Sequence, residues 1–129
     1  CHVAIINTYY YARLASSKRP AERAAAEKVG VIFPNQKSFG THINISGGGM
    51  LRHAPNRESA IRFLEYLASD EAQSYFANGN NEWPAVPNIR LQNPALAALG
   101  SFKEDELNVG TLGQYQPLAQ KMFNIVGLK

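Results

Sequence analysis

Apolar residues fall into two rhythms along the chain. Val3, Ala4, Ile5 and Ile6 form a short unbroken run of the kind seen in strands buried on both faces. Residues 29–33 repeat it with β-branched side chains, closed by Pro34. Residues 41–46 alternate polar and apolar, which predicts a half-buried strand. Elsewhere the period is helical. Asn7 and Thr8 give a cap signal, and residues 9–15 continue as a short helix. Pro20 suits the first turn of a second helix over residues 21–28, with Gly30 just beyond. Asn56 caps the clearest helix, where Ala60, Ile61, Phe63, Leu64 and Leu67 build an apolar stripe. Asp70 with Gln73 resembles a capping box, so a further helix is expected to run towards Gly79. Residues 80–87 hold two prolines and predict extended chain. Pro94 opens a short helix ending at Gly100, and Leu118, Met122, Phe123 and Val126 predict the buried face of a last one. Strand runs alternating with helices read as α/β.

Composition narrows the class. With 129 residues there is room for one domain of ordinary size, and 45% hydrophobic with 18% charged residues is a globular balance. No window nears the ~18 unbroken apolar residues of a membrane helix, and no signal-peptide pattern opens the chain. The chain lacks an initiator Met and enters a strand pattern almost at once, so a piece of a larger protein is expected. The net charge of +3 is spread along the chain with acids between the bases, which favours a solvated surface over a nucleic-acid patch. The single cysteine, Cys1, makes no internal disulfide. It reads as a core thiol or half of a bridge to another segment. A lipid-anchored terminus ranks last, because no flexible spacer follows it.

Three adjacent tyrosines, Tyr9, Tyr10 and Tyr11, are the unusual feature. Aromatic rings commonly bury area and satisfy one hydroxyl, and that is the plain reading. Neighbours on a strand point apart and neighbours on a helix diverge by about 100°. Two consecutive phenols therefore converge only where the backbone changes direction, as at the junction after Asn7. A phenol ionises near pH 10, so a phenolate pair needs concentrated positive charge. A trivalent cation supplies it and prefers such hard anionic oxygens, which makes ferric iron the sensible occupant.

At this point the chain resembles the periplasmic ferric-iron-binding proteins of bacterial ABC importers, in the branch that includes cyanobacteria. The resemblance rests on Asn7, Thr8, Tyr9, Tyr10 and Tyr11, then Phe33, Pro34, Asn35 and Gln36. It continues through the stretches at 40–49, 53–57, 63–67 and 76–82, in order and over nearly the whole chain. It implies that Tyr9 and Tyr10 bind Fe(III), that Tyr11 packs in support, and that Asn7 contacts a synergistic anion where one is used. The remaining iron ligands would come from segments N-terminal to this chain. The implied architecture is α/β, part of a two-lobed type II periplasmic-binding-protein fold with the ligand in the cleft. Residues 1 to about 45 would lie in the second lobe, about 46–92 would cross to the first, and about 93–129 would return. The missing N-terminal lobe would cover apolar faces that this piece alone exposes. The implied partner is the ABC-transporter permease, the location periplasmic, and the chemistry binding without catalysis.

The other signals are weaker. His2, His42 and His53 lack metal-ligand spacing. Gly47, Gly48 and Gly49 lack the Lys-Ser/Thr of a phosphate loop and read as a hinge or a close backbone approach. Glu65 and Glu82 are isolated carboxylates, and Ser46 sits in no nucleophile elbow. An enzyme is therefore not expected. Two alternatives stay open. One is a binding protein of the same fold for a polyamine, thiamine or phosphonate, with Trp83 and the tyrosines as an aromatic sandwich. The other is a basic nucleic-acid module built on Arg13, Lys18, Arg19 and Arg23.

Overall fold

The computed structural model describes residues 2–128, so Cys1 and the readings of it lie outside the described residues. Six helices form along the chain: α1 (Thr8–Ala15), α2 (Pro20–Ala26), α3 (Arg57–Leu67), α4 (Asp70–Gly79), α5 (Pro94–Ala97) and α6 (Gly110–Val126). All six stand where the sequence places helices. Pro20 occupies the first turn of α2, where its missing N–H costs nothing. The cap of α4 is Ser69, one residue before the expected Asp70, and its hydroxyl accepts from the Ala72 N–H at 3.3 Å. Gln73 is thereby released from the capping box. It donates to the Leu67 carbonyl at 2.8 Å and accepts from the Ala85 N–H at 2.7 Å, fastening the extended 80–87 segment to α4.

The chain divides into two compact units. The first comprises Cys1–Ile32 and Asn44–Ser101. Its core is small, with Ala12, Ala26, Ala72, Ala77 and Leu96 buried, and α1 packs against both α2 and α5. Small residues at these positions let the helices approach closely. Gly48 is a close approach of this kind, since a Cβ there would lie 3.1 Å from Leu64 Cδ2.

The second unit comprises Phe33–Ile43 and Phe102–Lys129. Phe33 stacks on Phe102 with ring centroids 4.3 Å apart and planes 10° apart. The Thr41 N–H donates to the Lys103 carbonyl and the Asp105 N–H to the Thr41 carbonyl, making a parallel bridge between Thr41 and Glu104. Gln36 ties the same turn, donating to Thr41 Oγ1 at 2.8 Å and accepting from the Lys103 N–H at 2.7 Å. Gly40 is required here. Its φ is +103°, and a Cβ would sit 2.4 Å from the Glu104 carbonyl oxygen.

Two expectations fail in detail. Residues 3–6, 29–33 and 41–46 form no strands among the described residues. A strand needs a neighbour to pair its N–H and C=O groups along its length, and among the described residues these segments carry a single bridge, at Thr41. Val3, Ile5 and Ile32 are correspondingly exposed at 82%, 100% and 86%. The predicted buried face of α6 is likewise open, with Leu118, Met122, Phe123 and Val126 all exposed. Its apolar period is real, but among the described residues no other helix packs upon it. No helix is long and apolar enough to cross a membrane among the described residues.

Candidate functional site

The site is built where the extended segment before α1 turns into the helix. Asn7 occupies the cap position with extended backbone (φ −74°, ψ 144°), yet its side chain does not cap. Its Nδ2 donates to the Tyr9 hydroxyl oxygen at 3.2 Å, and its Oδ1 accepts from Asn44 Nδ2 at 3.2 Å. Asn44 thus holds Asn7, and Asn7 holds Tyr9. The rings of Tyr9 and Tyr10 converge, with centroids 4.3 Å apart and planes tilted by 45°. Tyr11 is half-buried and does not line the depression described next.

A depression of about 430 Å³ opens over the pair, lined by Tyr9, Tyr10, Arg13 and the turn Gly79, Asn80, Asn81 and Glu82. Arg13 arrives from the next turn of α1. The other wall is the C-terminal end of α4, where Asn81 adopts a left-handed conformation at φ 60°. Asparagine tolerates that conformation better than other side chains. The turn is locked from below by Asn93, which is buried. Asn93 Nδ2 donates to the Ala77 carbonyl at 3.2 Å and to Asn81 Oδ1 at 2.8 Å. Its Oδ1 accepts from the Ala95 and Leu96 N–H groups, capping α5.

The two phenols are electrically unequal. Hydrogen bonding with Tyr10 first, and then the bond from Asn7, holds the Tyr9 phenol below its ordinary value. The Arg13 charge acts in the same direction, while burial and the Glu82 carboxylate oppose it. Tyr10 is pushed up, first by the same hydrogen bonding with Tyr9, then by the charge of Tyr9 and by burial. The first phenolate therefore forms on Tyr9, and Tyr10 follows when a stronger positive charge draws its proton away. Two phenol oxygens and a carboxylate around one depression make a set of hard anionic donors, suited to a small cation of high charge.

The structure brings Tyr9, Tyr10 and Asn7 together. Glu82 and Arg13 were not recognised as members of the site. Glu82 looked isolated because its neighbours at the site lie far away in the sequence. The signal that pointed to it was the Gly-Asn-Asn run at the end of α4, a stretch suited to a left-handed turn. Trp83 follows Glu82 but does not line the depression. In the basic group, Arg19 pairs with Glu22 at 2.9 Å and Arg23 Nη1 donates to the Ser17 carbonyl at 2.7 Å. Among the described residues, no three His, Cys, Asp or Glu side chains gather as a metal site.

The model of the bacterial extracellular solute-binding protein family matches residues 4–105. Iron uptake protein A2 of Synechocystis sp. strain PCC 6803 is 55% identical over 127 residues, covering 97% of this chain and 36% of that protein. The chain thus spans about a third of the length of the curated relatives it matches. A Trichodesmium protein solved in complex with iron and citrate superposes with a TM-score of 0.88 at 50% identity, over 96% of this chain and 39% of that one. The ferric binding protein from Campylobacter jejuni gives 0.89 at 36% identity, over 98% and 40%. The chain therefore has the fold of part of these two-lobed α/β proteins.

Proposed function

The chain belongs to the bacterial extracellular solute-binding protein family, and from that premise we propose that it carries part of a site that captures Fe(III) for uptake. One observation supports the reading above the others: the convergence of Tyr9 and Tyr10, with Asn7 already aimed at the Tyr9 oxygen. Both phenols release their protons to solvent as the ion binds, and the first is lost more easily because hydrogen bonding already favours its phenolate. Fe(III) is the cargo, and the chain does no chemistry on it. The depression of about 430 Å³ has room for an ion with a small chelating anion, and Asn7 with Arg13 offers that anion its donors. The iron and citrate held by the Trichodesmium protein are of this kind.

In this reading the remaining ligands belong to an N-terminal lobe, residues 1 to about 45 and about 93–129 serve the second lobe, and the segment between them packs towards the first. Tyr11 supports the pair by packing. The loaded protein works in the periplasm and hands its ion to an ABC-transporter permease. Exposed apolar positions such as Val3, Ile5 and those along α6 are then faces that the rest of the protein covers.

The test is a titration of the natural full-length protein with ferric citrate, following the visible phenolate-to-iron absorption. Colour that saturates at one ion per protein, and is absent from the Tyr9→Phe/Tyr10→Phe variant, supports the reading. A colourless protein that binds an organic solute equally well after strict removal of iron overturns it.

A further inference from the structure

The hydrogen bonds behind the tyrosine pair form a relay with a direction. Asn44 Nδ2 donates to Asn7 Oδ1 at 3.2 Å, and Asn7 Nδ2 donates to the Tyr9 hydroxyl oxygen at 3.2 Å. Asn7 stands at the cap position of α1, yet its side chain does not cap the helix. An asparagine there ordinarily accepts from a backbone N–H of the first turn, so a side chain that forgoes the cap is held by other partners. Those partners are Tyr9 at one end of the amide and Asn44, 37 residues along the chain, at the other. Asn7 and Asn44 belong to the same compact unit, and Asn44 is the residue at which the chain returns to it.

The direction matters because the two ends of an amide differ: one only accepts, and the other carries two donors. The same three groups can also be joined in the opposite sense. The Tyr9 hydroxyl would then donate to Asn7 Oδ1, and Asn7 Nδ2 to an oxygen at position 44. That sense suits a neutral phenol and opposes an ion. A phenol oxygen bound to a cation has no proton to give, and it would face the lone pairs of the Asn7 oxygen. In the observed sense Nδ2 faces the Tyr9 oxygen, and a hydrogen bond to an anionic oxygen is of the stronger, charge-assisted kind. The Asn7 amide is thus already turned as the ion-bound state requires, with Asn44 donating to its far end.

We propose that Asn44 is a positioning residue of the tyrosine site, acting through Asn7: by donating to Oδ1 it keeps the Asn7 amide turned with Nδ2 towards the oxygen that takes the ion. This rests on the reading of the tyrosine pair as iron donors. Asn44 does not line the depression, so its effect reaches the ion by way of Asn7.

The experiment uses the natural full-length protein with ferric citrate as the probe. The tyrosinate-to-iron band is the spectroscopic readout, and a competing chelator measures affinity. Asn44 is exposed, so substituting it opens no cavity. In Asn44→Asp the new carboxylate only accepts, which turns the Asn7 amide round and sets its Oδ1 against the Tyr9 oxygen. The band is expected to move to longer wavelength, because a phenolate without its hydrogen bond gives up electrons more readily. Affinity falls roughly 10-fold, within the range that the outer partners of a ligand cost. A negative charge added near a cation would by itself tighten binding, so the sign of the change separates the two effects. Asn44→Ala leaves the amide free to turn and gives a smaller shift in the same direction. In an Asn7→Ala background neither substitution moves the band further. An Asn44→Asp protein with the parent band, or with tighter iron binding, overturns the proposal, and so does a shift that persists in the Asn7→Ala background. A parent without colour, or colour that survives in Tyr9→Phe/Tyr10→Phe, overturns the tyrosine reading itself and this proposal with it.

Discussion

Asn93 joins the stability of the first unit to the geometry of the site, and its removal has a magnitude that follows from its bonds. The side chain caps α5 by accepting from the Ala95 and Leu96 N–H groups at 3.1 and 3.2 Å. Losing a cap of this type costs about 1 kcal/mol. Its Nδ2 donates to the Ala77 carbonyl and to Asn81 Oδ1, and each net hydrogen bond contributes about 1 kcal/mol. Asn93→Ala is therefore expected to destabilise by about 3 kcal/mol. Asn93→Asp separates the two roles. It keeps the cap oxygen, but it can no longer donate to the two oxygens it faces, so a loss of at least about 2 kcal/mol remains. Urea unfolding of the natural full-length protein, followed by the fluorescence of Trp83 beside the turn, reads both. A fall of the midpoint on the order of 1 M accompanies Asn93→Ala. An Asn93→Ala protein within about 0.5 kcal/mol of the parent would refute the reasoning. So would an Asn93→Asp protein as stable as the parent, since the residue would then be a cap and nothing more.

Other consequences can be measured separately. Gly40→Ala must leave φ +103° and relieve a 2.4 Å contact with the Glu104 carbonyl, breaking the Thr41 bridge, so a loss of about 3 kcal/mol is expected. Gly49→Ala, with nothing within 4 Å of its Cβ, is the matched control, and equal losses from the two would dismiss the steric account. In ultraviolet titration of the iron-free protein, Tyr9 ionises below the ordinary phenol value near 10 and Tyr10 above it. The sign follows for stability. The contribution of Tyr9 is present above its unfolded value and is lost as pH falls through its lower folded value. That of Tyr10 is present below its unfolded value and is lost as pH rises through its higher one. Tyr10→Phe and Asn7→Ala each return Tyr9 upward, and a Tyr9 titration unchanged by both would contradict the hydrogen-bond origin of the shift.

What could be read from the sequence depended on how local each signal is. Helices α1 to α6 were legible because caps, prolines and the apolar period all act within a turn or two. Even the slip at α4 was local, with Ser69 taking the cap from its neighbour Asp70. The segments 3–6, 29–33 and 41–46 carry strand composition, but a strand is a relation between segments, and composition does not supply the neighbour. The face of α6 teaches the same lesson, since periodicity shows which side is apolar without showing what covers it. At the site, Tyr9 and Tyr10 were legible because they are adjacent and stand at a change of backbone direction. Glu82 was not, since it reaches the depression only through the left-handed turn at Asn81 and the distant clasp of Asn93.

The central claim is that both phenolates of the pair bind the same ferric ion. Resonance Raman spectroscopy of the iron-loaded, full-length protein, excited within its visible band, tests it most directly, because it enhances only the vibrations of rings bound to the metal. The account predicts iron-bound tyrosinate modes in the parent, altered modes in Tyr9→Phe and in Tyr10→Phe, and a further loss when both are replaced. A spectrum with no tyrosinate modes, or one identical in the parent and the double variant, would contradict it.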